Sequence, residues 1–126
     1  MKPLTLYAIA RIVFGVASLA APAVTGRTLA GPGGALPDAQ AFLRGMGGRE
    51  IGFGLCLLAA IRGGGPLRKW VAAGLLADVS DLAGIAGAWQ HMPRAKRWLG
   101  LGTAGGAAAA GVAVLASLPP VAICGA

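Results

Sequence analysis

Apolar residues run almost unbroken along four stretches of the chain, roughly 4–22, 41–61, 68–90 and 97–117, with polar and helix-breaking residues gathered between them. Each stretch is about 20 residues, the length an α-helix needs to cross roughly 30 Å of hydrocarbon. None alternates apolar and polar positions as a barrel strand does, and each is about twice as long as such a strand requires. Helices satisfy their backbone internally, so four helices are predicted. Pro22 to Gln40, Arg62-Gly63-Gly64-Gly65-Pro66 and His91 to Lys96 read as the loops between them. The predicted fold is a single all-α domain over residues 1–126, an up-down bundle of four transmembrane helices.

Composition moves the picture the same way. With 56% hydrophobic residues, 12% charged residues and a mean hydropathy of +0.73, the chain is too apolar for a water-soluble domain of its size. It reads as a multi-pass integral protein of the cell membrane, in contact with lipid. Lys2 and Arg11 around a short apolar run imitate a secretory signal, but Arg11 divides that run, so the first stretch is read as a retained transmembrane helix. Glycine is abundant (22 residues) and aromatics are scarce (6%), a composition suited to close helix contact. Gly48-xxx-Gly52 and Gly102-xxx-Gly106 are the expected packing surfaces.

The formal charge of +7 sits mostly in the short connections, where lipid headgroups are the natural partner. No zinc spacing, helix-turn-helix or interleaving of aromatic and basic residues points to nucleic acid. Lys2, Arg62, Arg68 and Lys69 lie on one side of four crossings, and Arg27, Arg94, Lys96 and Arg97 on the other. That even balance assigns no orientation and permits an antiparallel homodimer. Trp70, Trp89 and Trp98 fall near span ends, as interfacial anchors do. Cys56 and Cys124 form no CxxC and read as small hydrophobes.

Against this apolar background a few polar residues stand out by depth. Glu50 is nine residues beyond the start of the second stretch and Asp78 ten beyond the start of the third, so antiparallel helices bring them level. Arg49 and Asp81 fall within a turn of the same plane, and Arg11 lies seven residues into the first stretch with Tyr7 one turn earlier. Asp78 and Asp81 are three apart and share a helix face, whereas Ser80 points elsewhere. A charge at the bilayer centre costs about 2.5–3.5 kcal/mol on insertion scales, so such a group belongs in a bundle interior with partners. Arg11 and Arg49 are suited to hold carboxylates in bidentate fashion. Three acids face two deep bases, which leaves one carboxyl short of a full partner and able to keep a proton. A polar pocket lined by the first three helices follows, with the fourth, which has no ionisable residue beyond Leu99, packed outside.

The succession Arg11, Pro22, Phe42-Leu43-Arg44-Gly45-Met46-Gly47-Gly48-Arg49-Glu50-Ile51-Gly52-Phe53-Gly54 and Ala77-Asp78-Val79-Ser80-Asp81 resembles small bacterial membrane proteins of the DoxX-like families, abundant in actinobacteria. The resemblance implies the four-helix topology; it carries no established reaction and no catalytic residue.

Read for chemistry, the cluster is an acid/base site for a lipophilic small molecule. Asp78 or Asp81 would donate a proton, Glu50 would accept one or orient water, and Arg49, Arg11 and Tyr7 would bind substrate or steady charge. Isomerisation, cyclisation and epoxide opening need acid and base at fixed spacing and no cofactor. No phosphate loop, serine elbow or metal cluster is present in the sequence, and the lone His91 lies in a loop, so no cofactor and no metal is expected. Two other readings fit the same residues: an ion-pair network that fixes helix register in an accessory subunit, and a small dimeric proton-coupled transporter.

Overall fold

Prolines that look like breakers in the sequence begin helices in the structure. The computed structural model describes residues 2–119; Cys124 lies outside them. Five α-helices follow one another, α1 (Lys2–Ala20), α2 (Pro22–Ala30), α3 (Pro37–Gly63), α4 (Leu67–Ala88) and α5 (Arg94–Ser117), with 3-10 turns at Pro32–Ala35 and Trp89–His91. The expected four-helix bundle is therefore corrected to five helices among the described residues. The additional one, α2, occupies a segment read as loop. Ala21 leaves helical conformation (φ −135°, ψ 58°), and Pro22 then opens a new helix in its first turn, where a backbone N–H would have no helical partner anyway. Pro32 and Pro37 likewise open the 3-10 turn and α3.

Three helical segments are long and apolar enough to cross a membrane: Lys2–Ala20, Leu67–His91 and Arg94–Ser117. α3 has the length, at 27 residues, but every 18-residue stretch of it holds three or more charged residues. Arg44, Arg49 and Glu50 are the main reason, so α3 differs from the apolar span expected at 41–61.

α1 and α3 run antiparallel in backbone contact. A Cβ at Gly15 would lie 2.5 Å from the Gly47 carbonyl oxygen, and one at Gly54 would lie 2.6 Å from the Ala8 carbonyl oxygen. Glycine at these positions lets the two helices meet, which larger side chains would prevent. Gly48, Gly52, Gly102 and Gly106, expected to be the packing surfaces, meet nothing within 4 Å of such a Cβ. Each GxxxG pair sits on an outer face because the neighbouring helix approaches about 100° further round per residue. α4 and α5 form a second antiparallel pair, with Ile85 against Gly100 and Leu75 against Gly111.

One half of the assembly is filled. Leu4, Tyr7, Ala8, Leu57, Val71 and Val114 form its buried core, drawn from the start of α1, the end of α3, the start of α4 and the end of α5. Arg68 closes this end by donating from Nη1 to the carbonyls of Leu115 and Leu118, at 3.1 and 2.8 Å, where α5 runs out of backbone donors. At the opposite end α2 folds against the start of α5. Lys96 Nζ donates to the Thr28 carbonyl at 2.7 Å, and Gly26 and Gly34 bring α2 and the 3-10 turn into backbone contact that no side chain could enter.

Replacing Gly47 with Leu is expected to destabilise the fold by about 1–3 kcal/mol or more through overpacking, whereas Gly52→Leu leaves it within about 0.5 kcal/mol. Thermal unfolding of the two variants in detergent micelles, followed by circular dichroism, checks the assignment of the seam.

Candidate functional site

Between the two helix pairs, five charged side chains from three helices form an alternating ladder, Asp78–Arg11–Glu50–Arg49–Asp81. Arg11 Nη1 donates to Glu50 Oε2 at 2.5 Å, and Nη2 donates to Asp78 Oδ2 and, at 2.7 Å, to Tyr7 Oη. Arg49 Nε donates to Glu50 Oε1 at 3.2 Å and its Nη2 to Asp81 Oδ2 at 2.8 Å. Tyr7 Oη also lies 3.5 Å from Asp78 Oδ2. One guanidinium thus ties α1 to both α3 and α4, and the other ties α3 to α4.

Helical spacing explains why these groups meet. Tyr7 and Arg11 are one turn apart on α1, and Asp78 and Asp81 three apart on α4, so each pair shares a face. Arg49 and Glu50 are adjacent and diverge by about 100°, which sends Glu50 to α1 and Arg49 to α4. Two glycines that sequence reasoning missed make the room. A Cβ at Gly74 would lie 3.0 Å from Arg11 Nη2 and 3.1 Å from Cζ, and one at Gly111 would lie 3.0 Å from Tyr7 Oη. Gly74 is one turn before Asp78, so its place beside the guanidinium had a signal in the spacing; Gly111 had none.

The ladder has a dry end and an accessible end. Arg11, Glu50 and Asp78 are 5%, 5% and 4% exposed, while the side chains of Arg49 and Asp81 are 32% and 33% exposed. Arg11 Cζ lies 4.8 Å from the Tyr7 ring centre and 5.7 Å from that of Phe53, which places aromatic faces beside a guanidinium whose Nε has no hydrogen-bond partner. Glu50 accepts from a guanidinium on each oxygen, so it is the most fully compensated acid. In Asp78 and Asp81 every bond falls on Oδ2, leaving Oδ1 of each free of hydrogen bonds among the described residues.

A cavity of about 700 Å³ fills the half of the assembly opposite the core. Tyr7, Arg11, Glu50, Asp78 and Asp81 contribute its polar lining, Phe14 and Ile85 are among its apolar walls, and Leu29 and Ala30 of α2 close the far end. α5 supplies a wall through Gly100, Thr103, Ala104, Ala107 and Ala110, contrary to the expectation that this helix packs outside. Small residues there leave the space open. Ser80, expected to point elsewhere, also lines the cavity, though its hydroxyl donates back to the Leu76 carbonyl at 2.8 Å. Ala10 on α1 and Ala110 on α5 line the cavity and are exposed, so it reaches the outer surface between these helices. A second cleft of about 470 Å³ lies behind Met46 and shares Asp81 and Met46 with the first.

The remaining residues singled out in the sequence lie away from this space. His91 is exposed in the 3-10 turn. Trp89 and Trp98 meet edge to face at 5.6 Å with Arg97 over Trp89, near the junction of α4 and α5. Cys56 is a half-buried free thiol on α3.

Fold and site together define a helical protein with helices long and apolar enough to cross a membrane and an ion-pair ladder at the base of an apolar cavity. No protein-family model, curated protein or solved structure matches the chain.

The two ends of the ladder are expected to respond differently to neutralisation. Glu50→Gln removes the carboxylate that both guanidiniums share, leaving each with one acidic partner, and destabilises by about 1.5–3 kcal/mol, whereas Asp81→Asn at the accessible end costs about 1 kcal/mol or less. Gly74→Val displaces Arg11 and behaves like Glu50→Gln. Thermal unfolding midpoints of the three variants in one detergent rank them.

Proposed function

We propose that the protein is a multi-pass membrane protein whose cavity carries out cofactor-independent acid/base chemistry on an uncharged lipophilic molecule. In this reading α1, α4 and α5 cross the bilayer, and α3 packs against them with its charges Arg49 and Glu50 paired inside. The observation that carries the proposal is the shared cavity: two carboxyls, each with one oxygen free of hydrogen bonds among the described residues and with Tyr7 beside one of them, line an apolar space large enough for a small lipophile.

The hydrogen-bond pattern supports a division of roles different from the one expected from sequence. Glu50 is held by both guanidiniums and serves to keep α1 and α3 in register, so the exchange of protons falls to Asp78 and Asp81. One carboxyl gives a proton to an oxygen or double bond of the substrate, and the other takes a proton from carbon or from water; the site's proton count is unchanged, and passage of a proton from the second carboxyl to the first restores the starting state. Arg11 holds Asp78 in place and Tyr7 orients the group being protonated. Isomerisation, cyclisation and epoxide opening all fit this balance. The gap between Ala10 and Ala110 would admit substrate sideways from the hydrocarbon.

A second reading is favoured by one feature, the engagement of each guanidinium by two carboxylates: a purely structural network in an accessory subunit. The two part on a single assay. Protein in liposomes is incubated with a panel of uncharged isoprenoid epoxides, alkenes and ketones in D₂O, and products are read by mass spectrometry. The acid/base reading expects protein-dependent isomerised, cyclised or water-added product that falls at least a hundredfold in Asp78→Asn or Asp81→Asn, whichever retains its fold. Absence of product from the whole panel, together with unfolding of every carboxyl variant, leaves the structural network.

A further inference from the structure

The cavity is selective in charge as well as in polarity. Its walls bring Tyr7 and Arg11 from α1, Glu50 from α3, and Asp78 and Asp81 from α4, with Arg49 of α3 bonded to two of these acids. The lining residues of α2 and α5 add no ionisable group. Three carboxyls therefore face two guanidiniums, and the ionised ladder holds one negative charge more than it neutralises. Both guanidiniums are already engaged: Arg11 Nη1 and Nη2 and Arg49 Nε and Nη2 each donate to a carboxylate. A carboxylate or phosphate on a ligand would find no free cation, and it would meet unbonded Oδ1 atoms of Asp78 and Asp81 in a space of low dielectric.

We infer that the cavity takes a lipophilic cation, a single positive centre on an apolar body, and rejects lipophilic anions of the same shape. This rests on the cavity being a ligand site, as in the proposed function. Charge complementarity selects the occupant, since the surplus negative charge of the ladder once its acid has given up the proton is neutralised by one positive centre and doubled by one negative centre. Phe14 lines the same space with an aromatic ring of the kind that attracts organic cations. The inference also names what acid transfer would produce: a neutral substrate that gains a proton becomes such a cation inside the cavity. A stable lipophilic cation then binds as its mimic, more tightly than the neutral parent.

Three probes of one shape separate charge from bulk: tetraphenylphosphonium, tetraphenylsilane and tetraphenylborate, which are positive, neutral and negative. Binding is measured by equilibrium dialysis against the full chain in nanodiscs of zwitterionic lipid, with empty nanodiscs subtracted for partitioning. The expected result is saturable binding of the phosphonium, at least tenfold tighter than the silane, and no borate binding above the empty discs. Asp81→Asn is expected to weaken the phosphonium at least tenfold while leaving the silane unchanged. Equal affinity for phosphonium and silane overturns the charge selection and leaves the lipophile cavity standing. Tighter binding of the borate also overturns it, as does unchanged phosphonium affinity in Asp81→Asn. If none of the three binds, this inference and the proposed function fail together. The comparison among probes on the unaltered protein decides the matter even if Asp81→Asn does not fold.

Discussion

A guanidinium removed from water must be surrounded by acceptors, and the arrangement of helices here follows from where Arg11 finds its own. Its two terminal nitrogens reach Glu50 on α3 and Asp78 on α4, so one side chain sets the distance between the two helix pairs. Gly74 and Gly111 are small because Arg11 and Tyr7 fill the space beside them. Gly15, Gly47 and Gly54 bring α1 close enough to α3 for the Glu50 contact to form. Packing and electrostatics thus act on the same interhelical spacing, and neither is free to change alone.

The ladder also divides the protein into two halves with different character. On the side of Leu4, Leu57, Val71 and Val114 the helices close on one another and leave no room for a guest. On the other side small residues of α5 and the reversal at α2 hold a cavity open, with the ladder as its base. Such a division suits a site that must exclude water from one direction and admit a lipophile from another. In the proposed reading the excess of acids over guanidiniums makes the base of the cavity favour positive charge, whether it arrives on the ligand or arises there by proton transfer.

Much of the polar cluster was legible in the sequence, and the reason is arithmetic. Residue counts along antiparallel helices bring Glu50 level with Asp78, and three- and four-residue spacings put Asp78 with Asp81 and Tyr7 with Arg11 on single faces. What counting cannot supply is the rotation of one helix against another. That rotation decided that Gly47 and Gly54 rather than Gly48 and Gly52 form the seam, and that α5 lines the cavity. The five-helix architecture was hidden for a different reason. Pro22, Pro32 and Pro37 carry the same local chemistry as breakers and as first-turn residues, and only the conformation of the preceding residue distinguishes the two.

The account stands on Arg11 and Asp78 acting as a pair. A double-mutant cycle with Arg11→Met and Asp78→Leu, read as unfolding free energies in nanodiscs, measures that pairing directly. Arg11→Met leaves Asp78 without a cation and is predicted to lose about 3–5 kcal/mol, Asp78→Leu leaves Arg11 with Glu50 alone and loses less, and the double variant loses less than the sum by about 0.5–3 kcal/mol. Losses that add to within about 0.5 kcal/mol would contradict the account, because the two side chains would then be acting independently.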